Sequence, residues 1–198
     1  MCRNYSIFGI IRDNTMIINS SFISQTSGLK WDSRYEELDS FEPIRSLPVS
    51  AAGALCFYEN KLVLVYASKR NSWEMPGGGR EEGETFEECI VREIKEETNM
   101  KVLELFPLGY DTFTNPETQE KIYQLRFAAR VEPYGPFVID LAEDKDISEI
   151  KLVDPHDYKK YFDWGERGDA MMKKALKLAC GGEVSQVDID ETLNKKPS

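Results

Sequence analysis

Runs of apolar residues, and the way they alternate with polar ones, divide the chain into elements. YSIFGII and MIINSSF, between Tyr5 and Phe22, are β-rich runs on either side of Asp13-Asn14, residues that tolerate turn conformations, and together they predict a hairpin. Residues 23–45 are polar and mixed, with Trp31, Tyr35 and Phe41 spaced through them, and read as a connecting segment packed on the body. From Pro48, VSAAGALCFY and KLVLVYAS flank the turn Glu59-Asn60 and predict a second, core hairpin. WEMPGGG follows, where Pro76 and three glycines argue against regular structure, and then a helix-favouring acidic stretch from Thr85 to Thr98.

Beyond that helix, KVLELFPLGYDTFT and KIYQLRFAARV predict strands around the polar loop Asn115 to Glu120, and ISEIKLVD predicts one more. An acidic loop, Asp140 to Asp146, precedes the last of these. Ala170, Met171, Ala175 and Leu178 recur at helical spacing within Arg167 to Ala179. The pattern divides the chain into an N-terminal extension (1–45), one main domain (46–181) and a polar tail (182–198). At 198 residues the chain fits one domain of ordinary size with appendages.

Charge restricts the partners. Twenty-five Lys and Arg against 35 Asp and Glu leave a net charge of −10, which works against a broad electropositive face for nucleic acid, so no stable nucleic-acid binding is expected. An anionic ligand such as a phosphate ester needs a local offset, from placed Arg and Lys residues or from divalent cations. Cys2, Cys56, Cys89 and Cys180 form no CxxC pair, so neither a zinc knuckle nor a disulfide framework is indicated, and reduced thiols in a cytoplasm are the expectation. The apolar run Ile7 to Ile11 is ended by Arg12 and Asp13 short of signal-peptide length, and no stretch approaches the ~18 apolar residues of a membrane span. With His156 as the single histidine, multi-histidine metal sites are nearly excluded.

The candidate chemistry lies after the glycine run. Gly78 is followed by Glu84, then Arg92-Glu93-Ile94, Glu96-Glu97 and Asn99-Met100. On a helix, Glu93, Glu96 and Glu97 fall within an arc of about 100°, beside an apolar stripe of Phe86, Ile90 and Ile94. Like charges at i,i+4, such as Glu93 and Glu97, destabilise a helix by ~0.2–0.5 kcal/mol per pair, and negative charge near a helix C-terminus adds to that cost. Hard divalent cations with a preference for oxygen ligands would reverse both penalties, and Mg²⁺ is the natural candidate. REIKEE alone is an ordinary solvated helix face; the whole pattern of glycine loop, Glu84, Arg92-Glu93 and Glu96-Glu97 is not.

GGREEGETFEECIVREIKEETNM resembles the signature of the Nudix hydrolases, and every charged position of that signature is met. Asn99 stands where the family has glycine, at a helix-ending position of positive φ that Asn also tolerates. The resemblance covers about residues 48–180 and implies an α+β fold, an α/β/α sandwich around a mixed sheet, here with the N-terminal hairpin as an extension. It further implies hydrolysis of a nucleoside diphosphate linked to another moiety, with Mg²⁺ as cofactor and Mn²⁺ as a substitute. Carried over residue by residue, the Gly78 carbonyl, Glu93, Glu96 and Glu97 become metal ligands, Arg92 holds the glutamates, and Glu84 supports the site. The general base stays open between a motif glutamate and a later-loop carboxylate, for which Glu143, Asp144, Asp146 and Glu149 are candidates and Glu143 is taken first. Arg70, just before the glycine loop, is a candidate phosphate contact.

Pro116, sixteen residues after Met100, is similar to a downstream proline of the ADP-ribose-hydrolysing branch. The N-terminal hairpin resembles strands through which some ADP-sugar hydrolases form a homodimer, though it serves equally as an added edge on a monomer. ADP-ribose or a related nucleotide sugar is therefore the first substrate expectation, with a nucleoside triphosphate pyrophosphatase as the alternative, and a catalytically inactive nucleotide-binding module behind both. Trp31, Trp73 and Trp164 are candidates to stack on a base or to fill the core.

Overall fold

The structure, a computed structural model, describes residues 15–24, 28–135 and 146–181. In chain order these form β1 (Ile17–Ile23), β2 (Lys30–Glu37), β3 (Val49–Tyr58), β4 (Lys61–Ala67), β5 (Ser72–Glu74), β6 (Gly77–Gly79), α1 (Phe86–Thr98), β7 (Met100–Thr114), β8 (Lys121–Pro133), β9 (Ile147–Val153) and α2 (Gly165–Ala179). The main path of the sheet runs β1-β2-β7-β8-β3-β4-β5, with β6 on β3 and β9 on β4. The β3–β8 pairing is parallel and the others are antiparallel, so the sheet is mixed.

Period-two alternation sends successive side chains to opposite faces. Ala54, Cys56 and Val63 join Phe86, Cys89, Ile90 and Ile94 of α1 in one core, whereas Leu55, Phe57, Leu62 and Leu64 join Met171, Met172 and Ala175 of α2 in the other. Two helices on opposite faces of one mixed sheet make the expected α/β/α sandwich. Leu178, expected on the buried stripe of α2, is partly exposed; Gly168, Met172 and Ala179 are buried instead.

One irregularity sets which residues reach the α2 face. In β7 the pairing with β8 shifts between Pro107 and Gly109, so Leu108 is an extra residue, and the side chains beyond it exchange faces. Tyr110 thereby packs on the α1 side, while Asp111 turns towards α2 and bonds Arg167.

Two expectations need correction. The segment 23–45, read as a connector, contains strand β2, which lies between β1 and β7. Its sequence KWDSRYEE buries only Ser33 and Tyr35, and Arg34, Glu36 and Tyr110 satisfy one another across the strands, so its polarity hid a strand. WEMPGGG is not wholly irregular either: β5 and β6 sit within it, and β6 needs only one partner, with Ala51 to Gly53 facing Gly79 to Gly77. Ile17–Ile23 is a strand as expected, but its proposed hairpin partner around Ile7 to Ile11 lies outside the described residues, as does the tail from 182.

The helix α1 is bounded by local chemistry. Thr85 Oγ1 accepts from Glu88 N at 3.1 Å and Glu88 Oε2 accepts from Thr85 N at 2.8 Å, a reciprocal cap that satisfies two helix-start N–H groups. At the other end Asn99 adopts the left-handed conformation (φ 52°, ψ 37°), as its replacement of glycine requires. Urea denaturation is expected to show Asn99→Gly at or slightly above the parent stability and Asn99→Ala about 1 kcal/mol below it; equal midpoints for alanine and asparagine would contradict this account of the helix end.

Candidate active site

The glycine strand β6 and the helix α1 face each other, and the acidic residues meet between them. Glu93 and Glu97 are buried, and Glu97 Oε2 accepts from Gly77 N at 2.9 Å. A Cβ on Gly78 would lie 2.5 Å from both carboxylate oxygens of Glu93, so only glycine lets that carboxylate approach the backbone. Gly77 is constrained too, with φ 153° and the Ala52 carbonyl 2.3 Å from where its Cβ would be.

Arg92 organises the set. Its Nε donates to Glu84 Oε1 (2.7 Å), and Nη1 donates to Glu93 Oε1 (2.9 Å) and Glu96 Oε2 (3.1 Å). Its Nη2 donates to Gly79 O (2.9 Å) and Glu84 Oε2 (3.1 Å). These contacts employ all five N–H groups of the guanidinium, and they join helix, glycine strand and the loop bearing Glu84. Hydrogen bonding from Arg92, with help from Glu81 N, holds the Glu84 carboxyl below the usual carboxylate range. Sequence reasoning supplied Arg92 and its glutamates but missed the Gly79 carbonyl and the Gly77 N–H, which no side-chain pattern announces.

The donor set suits a hard cation. Gly78, Glu93, Glu96 and Glu97 offer oxygen atoms only. A soft atom beside the set, Cys89 Sγ, is 4.0 Å from Gly78 O, and burial, reinforced by Glu93, pushes its thiol up to about 11, which keeps it a neutral thiol. Among the described residues no three carboxylate, His or Cys side chains close on one point as a preformed cage. Arg92 offsets part of the mutual repulsion of the glutamates, and a divalent ion would supply the remaining attraction that gathers them.

Beside this set lies a cleft of about 690 Å³ lined by Gly77–Gly79, Arg70, Trp73, Arg126 and the segment Tyr161–Trp164. It opens where β4 leaves β3: β4 pairs with Cys56–Tyr58, and β6 replaces it along Ala51–Gly53. Arg70 lines this cleft; its Nε binds Glu74 Oε1 at 2.7 Å, and although burial opposes its charge, Glu74, Glu97 and Asp146 together raise its pKa. Trp73 and Trp164 line the cleft, whereas Trp31 lies on β2 opposite Phe22.

The later-loop carboxylates divide. Glu143 and Asp144 lie outside the described residues. Asp146 pairs with Lys69 at 2.8 Å, and Glu149 is exposed on β9. His156 sits on the 3-10 helix Pro155–Lys160, where its backbone N–H meets Asp154 Oδ1 at 3.0 Å, and Pro116 sits in a loop that Asn115 Oδ1 caps through Glu117 N and Thr118 N.

Arg92→Lys, with three donors instead of five and no planar fork, is expected to lower stability by about 1–2 kcal/mol, read as a shifted urea midpoint with an unchanged slope; a midpoint equal to the parent's would refute the shared-guanidinium account. The depressed Glu84 pKa has a defined sign. Its contribution is present above the unfolded-state pKa of about 4.3 and is lost as pH falls through the lower folded value. Glu84→Gln is thus expected to be less stable than the parent at pH 7, with the gap closing towards pH ~3; a gap that persists in acid would show that Arg92 does not bind the ionised form preferentially.

Comparison with known proteins agrees with this geometry. A family model described as the NUDIX domain matches residues 47–174. The mRNA-decapping enzyme subunit 2 of Saccharomyces cerevisiae is 30% identical over 135 residues, 66% of this chain but 13% of its own length. An RNA pyrophosphohydrolase of Sulfurovum sp. is 33% identical over 96 residues, 46% of this chain and 57% of its own. The chain thus spans a small part of the yeast relative and just over half of the bacterial one. The crystal structure of the Bacillus subtilis pyrophosphohydrolase BsRppH superposes with a TM-score of 0.59 at 20% identity, over 84% of this chain and 99% of that one, a likeness of fold. With its matched domain spanning the glycine strand, the Arg92-centred glutamates, α1 and the first ten residues of α2, the chain belongs to the Nudix family of hydrolases, which act on pyrophosphate bonds.

Proposed function

We propose that this chain hydrolyses a phosphoanhydride bond in a nucleoside diphosphate linked to another moiety, with Mg²⁺ held by the Gly78 carbonyl, Glu93, Glu96 and Glu97. The observation that carries this reading is the oxygen-only donor set, locked by Arg92, at the edge of a nucleotide-sized cleft with aromatic walls. The bound ion would neutralise the diphosphate and acidify a water for attack on phosphorus. The protein's own groups do the rest. Arg92 fixes Glu93 and Glu96 against their mutual repulsion, the Gly77 N–H fixes Glu97, and Arg70 at the cleft places a cation near the phosphates. The proton passes either to a motif glutamate, Glu96 or Glu97, or to Glu143 of the acidic loop. No helix among the described residues is long and apolar enough to cross a membrane.

Two substrates are distinguished by what favours them. ADP-ribose rests on Pro116 and the N-terminal strands, and the Pro116 loop has its own structural explanation in the Asn115 cap. A nucleoside 5′-polyphosphate, free or at the end of an RNA, is favoured by the names of the relatives at 30 and 33% identity, both of which specify RNA. The net charge of −10 argues that only the terminal nucleotide of such an RNA is gripped.

A panel of ADP-ribose, nucleoside triphosphates, dinucleoside polyphosphates and a 5′-triphosphate RNA, each with Mg²⁺, tests this reading. Release of a nucleoside monophosphate or of pyrophosphate from at least one is expected, with Glu97→Gln lowering kcat by about 10²-fold or more and leaving the fold intact. Undiminished turnover in Glu97→Gln, or no product from any compound, would end the hydrolase proposal.

A further inference from the structure

The cleft also contains polar groups that hydrolysis does not use. Arg126 of β8 is a buried guanidinium that nonetheless lines the cleft. Its Nε donates to Asp111 Oδ2 (2.7 Å) and its Nη2 to Gln124 Oε1 (2.7 Å). Asp111, fully buried, also accepts from Arg167 Nη1 at 3.0 Å, so two guanidinia share one carboxylate and a positive charge is left beneath the cleft. Both guanidinia lie near the Trp164 ring, at 5.9 and 5.0 Å from its centroid. The Phe162 and Trp164 rings, 4.6 Å apart at 38°, form an aromatic wall.

These groups have a definite donor and acceptor order. Gln124 turns its Oε1 to Arg126, so its amide NH₂ is the end left to a ligand, beside the remaining N–H groups of Arg126. Asp163, from the aromatic segment, accepts from Gly165 N at 2.8 Å through Oδ1, which anchors an acceptor-only carboxylate at the cleft. Donors thus come from β8 and an acceptor from the facing segment, with flat rings beside them.

Among the bases, guanine is the complement. Its O6 and N7 accept, and its N1–H and N2 amino group donate to one carboxylate. Adenine reverses both positions, since its N6 amino group would face the guanidinium and its N1 lone pair the carboxylate, leaving buried polar groups mismatched. Uracil keeps the order but has one donor and a smaller stacking face. We propose that this cleft is a guanine-selecting nucleoside subsite, in which Trp164 and Phe162 stack on the base, Arg126 and Gln124 donate to its acceptor edge, and Asp163 accepts from N1–H and the amino group. The proposal rests on the hydrolase reading only for seating a nucleoside in this cleft, and it narrows that substrate to guanine nucleotides over ADP-ribose.

Calorimetric titration of the full chain with GMP, AMP, IMP and UMP tests it, since monophosphates have no anhydride to cleave and the readout is independent of catalysis. GMP is expected to bind at least about fivefold more tightly than AMP or UMP, the low end for one bidentate base contact, with IMP between them for want of the amino group. Asp163→Ala, at an exposed position, is expected to erase the difference between GMP and IMP; Gln124→Glu, which turns a donor into an acceptor, to shrink that between GMP and AMP. Equal affinity for GMP and AMP, UMP binding as tightly as GMP, a GMP preference untouched by Asp163→Ala, or no binding of any monophosphate would each overturn the subsite. Paired GTP and ATP hydrolysis separates the two proposals. Turnover without base preference defeats the subsite and leaves the hydrolase, whereas a GMP preference without turnover of either triphosphate, of ADP-ribose or of triphosphate RNA defeats the hydrolase and leaves the subsite.

Discussion

The site depends on holding several negative charges together within a few ångströms. Two unit charges 4 Å apart interact by about 4 kcal/mol at an effective dielectric of 20, so Glu84, Glu93, Glu96 and Glu97 gathered on one loop and one helix would drive themselves apart. Arg92 prevents this with all five of its donors, and each acceptor comes from a part that must be fixed: the Glu84 loop, two positions of α1 and the carbonyl of Gly79 in β6. One guanidinium therefore sets the spacing of the carboxylates and docks the glycine strand on the helix. Gly78 completes the constraint from the other side, since any side chain there would occupy the volume of the Glu93 carboxylate. A cation added to this arrangement would meet carboxylates whose repulsion is already offset in part, and would itself draw them onto one point.

The compactness of this arrangement made the site legible in the sequence. Every member lies within 23 residues of one loop and one helix, where spacing alone fixes geometry, and the ends of that helix are marked by Thr85 with Glu88 and by Asn99. The main strands were legible for a similar reason: β3, β4 and β8 carry apolar runs that bury both faces over most of their length. What was hidden depends on distant pairing. β2 is polar because its partners, not its own apolar residues, stabilise it; the Tyr35 hydroxyl donates to the Leu108 carbonyl 73 residues away. The faces of Asp111 and Tyr110 follow from one extra residue in β7, which no periodicity rule locates. The buried group of Arg126, Asp111 and Arg167 joins two strands and a helix, and each member alone reads as an ordinary surface charge.

An acidic chain that handles phosphates must solve an electrostatic problem, and the structure solves it twice. At one end of the cleft the carboxylates themselves would attract divalent cations. At the other, Arg126 and Arg167 share a single buried aspartate, an arrangement that costs desolvation, which lowers the Arg167 pKa despite Asp111. Arg167 Nε is buried without a hydrogen-bond partner among the described residues, a penalty of about 1–3 kcal/mol that packing against Trp164 only partly offsets. Such a cost is unusual in a region with no task, and the charge lies where an anionic or acceptor-rich ligand would enter.

The matched domain begins at residue 47, yet β2 continues the sheet through β7 and reaches beneath the cleft wall. Ser33 Oγ accepts from Arg167 Nη1 at 3.4 Å, and Lys174 of α2 bonds the carbonyls of Leu38 and Leu108 and pairs with Asp39 at 2.8 Å. These contacts fix the rotation of α2, and with it the position of Trp164 at its start. Displacing β2 would expose Asp111 and Arg167 to water and loosen the ring they hold, while α1 and the Arg92 network, on the opposite face of the sheet, would stay in place. The extension therefore bears on α2 and the Trp164 side of the cleft, where it would reach substrate choice if a base stacks there, and leaves the glutamates to Arg92.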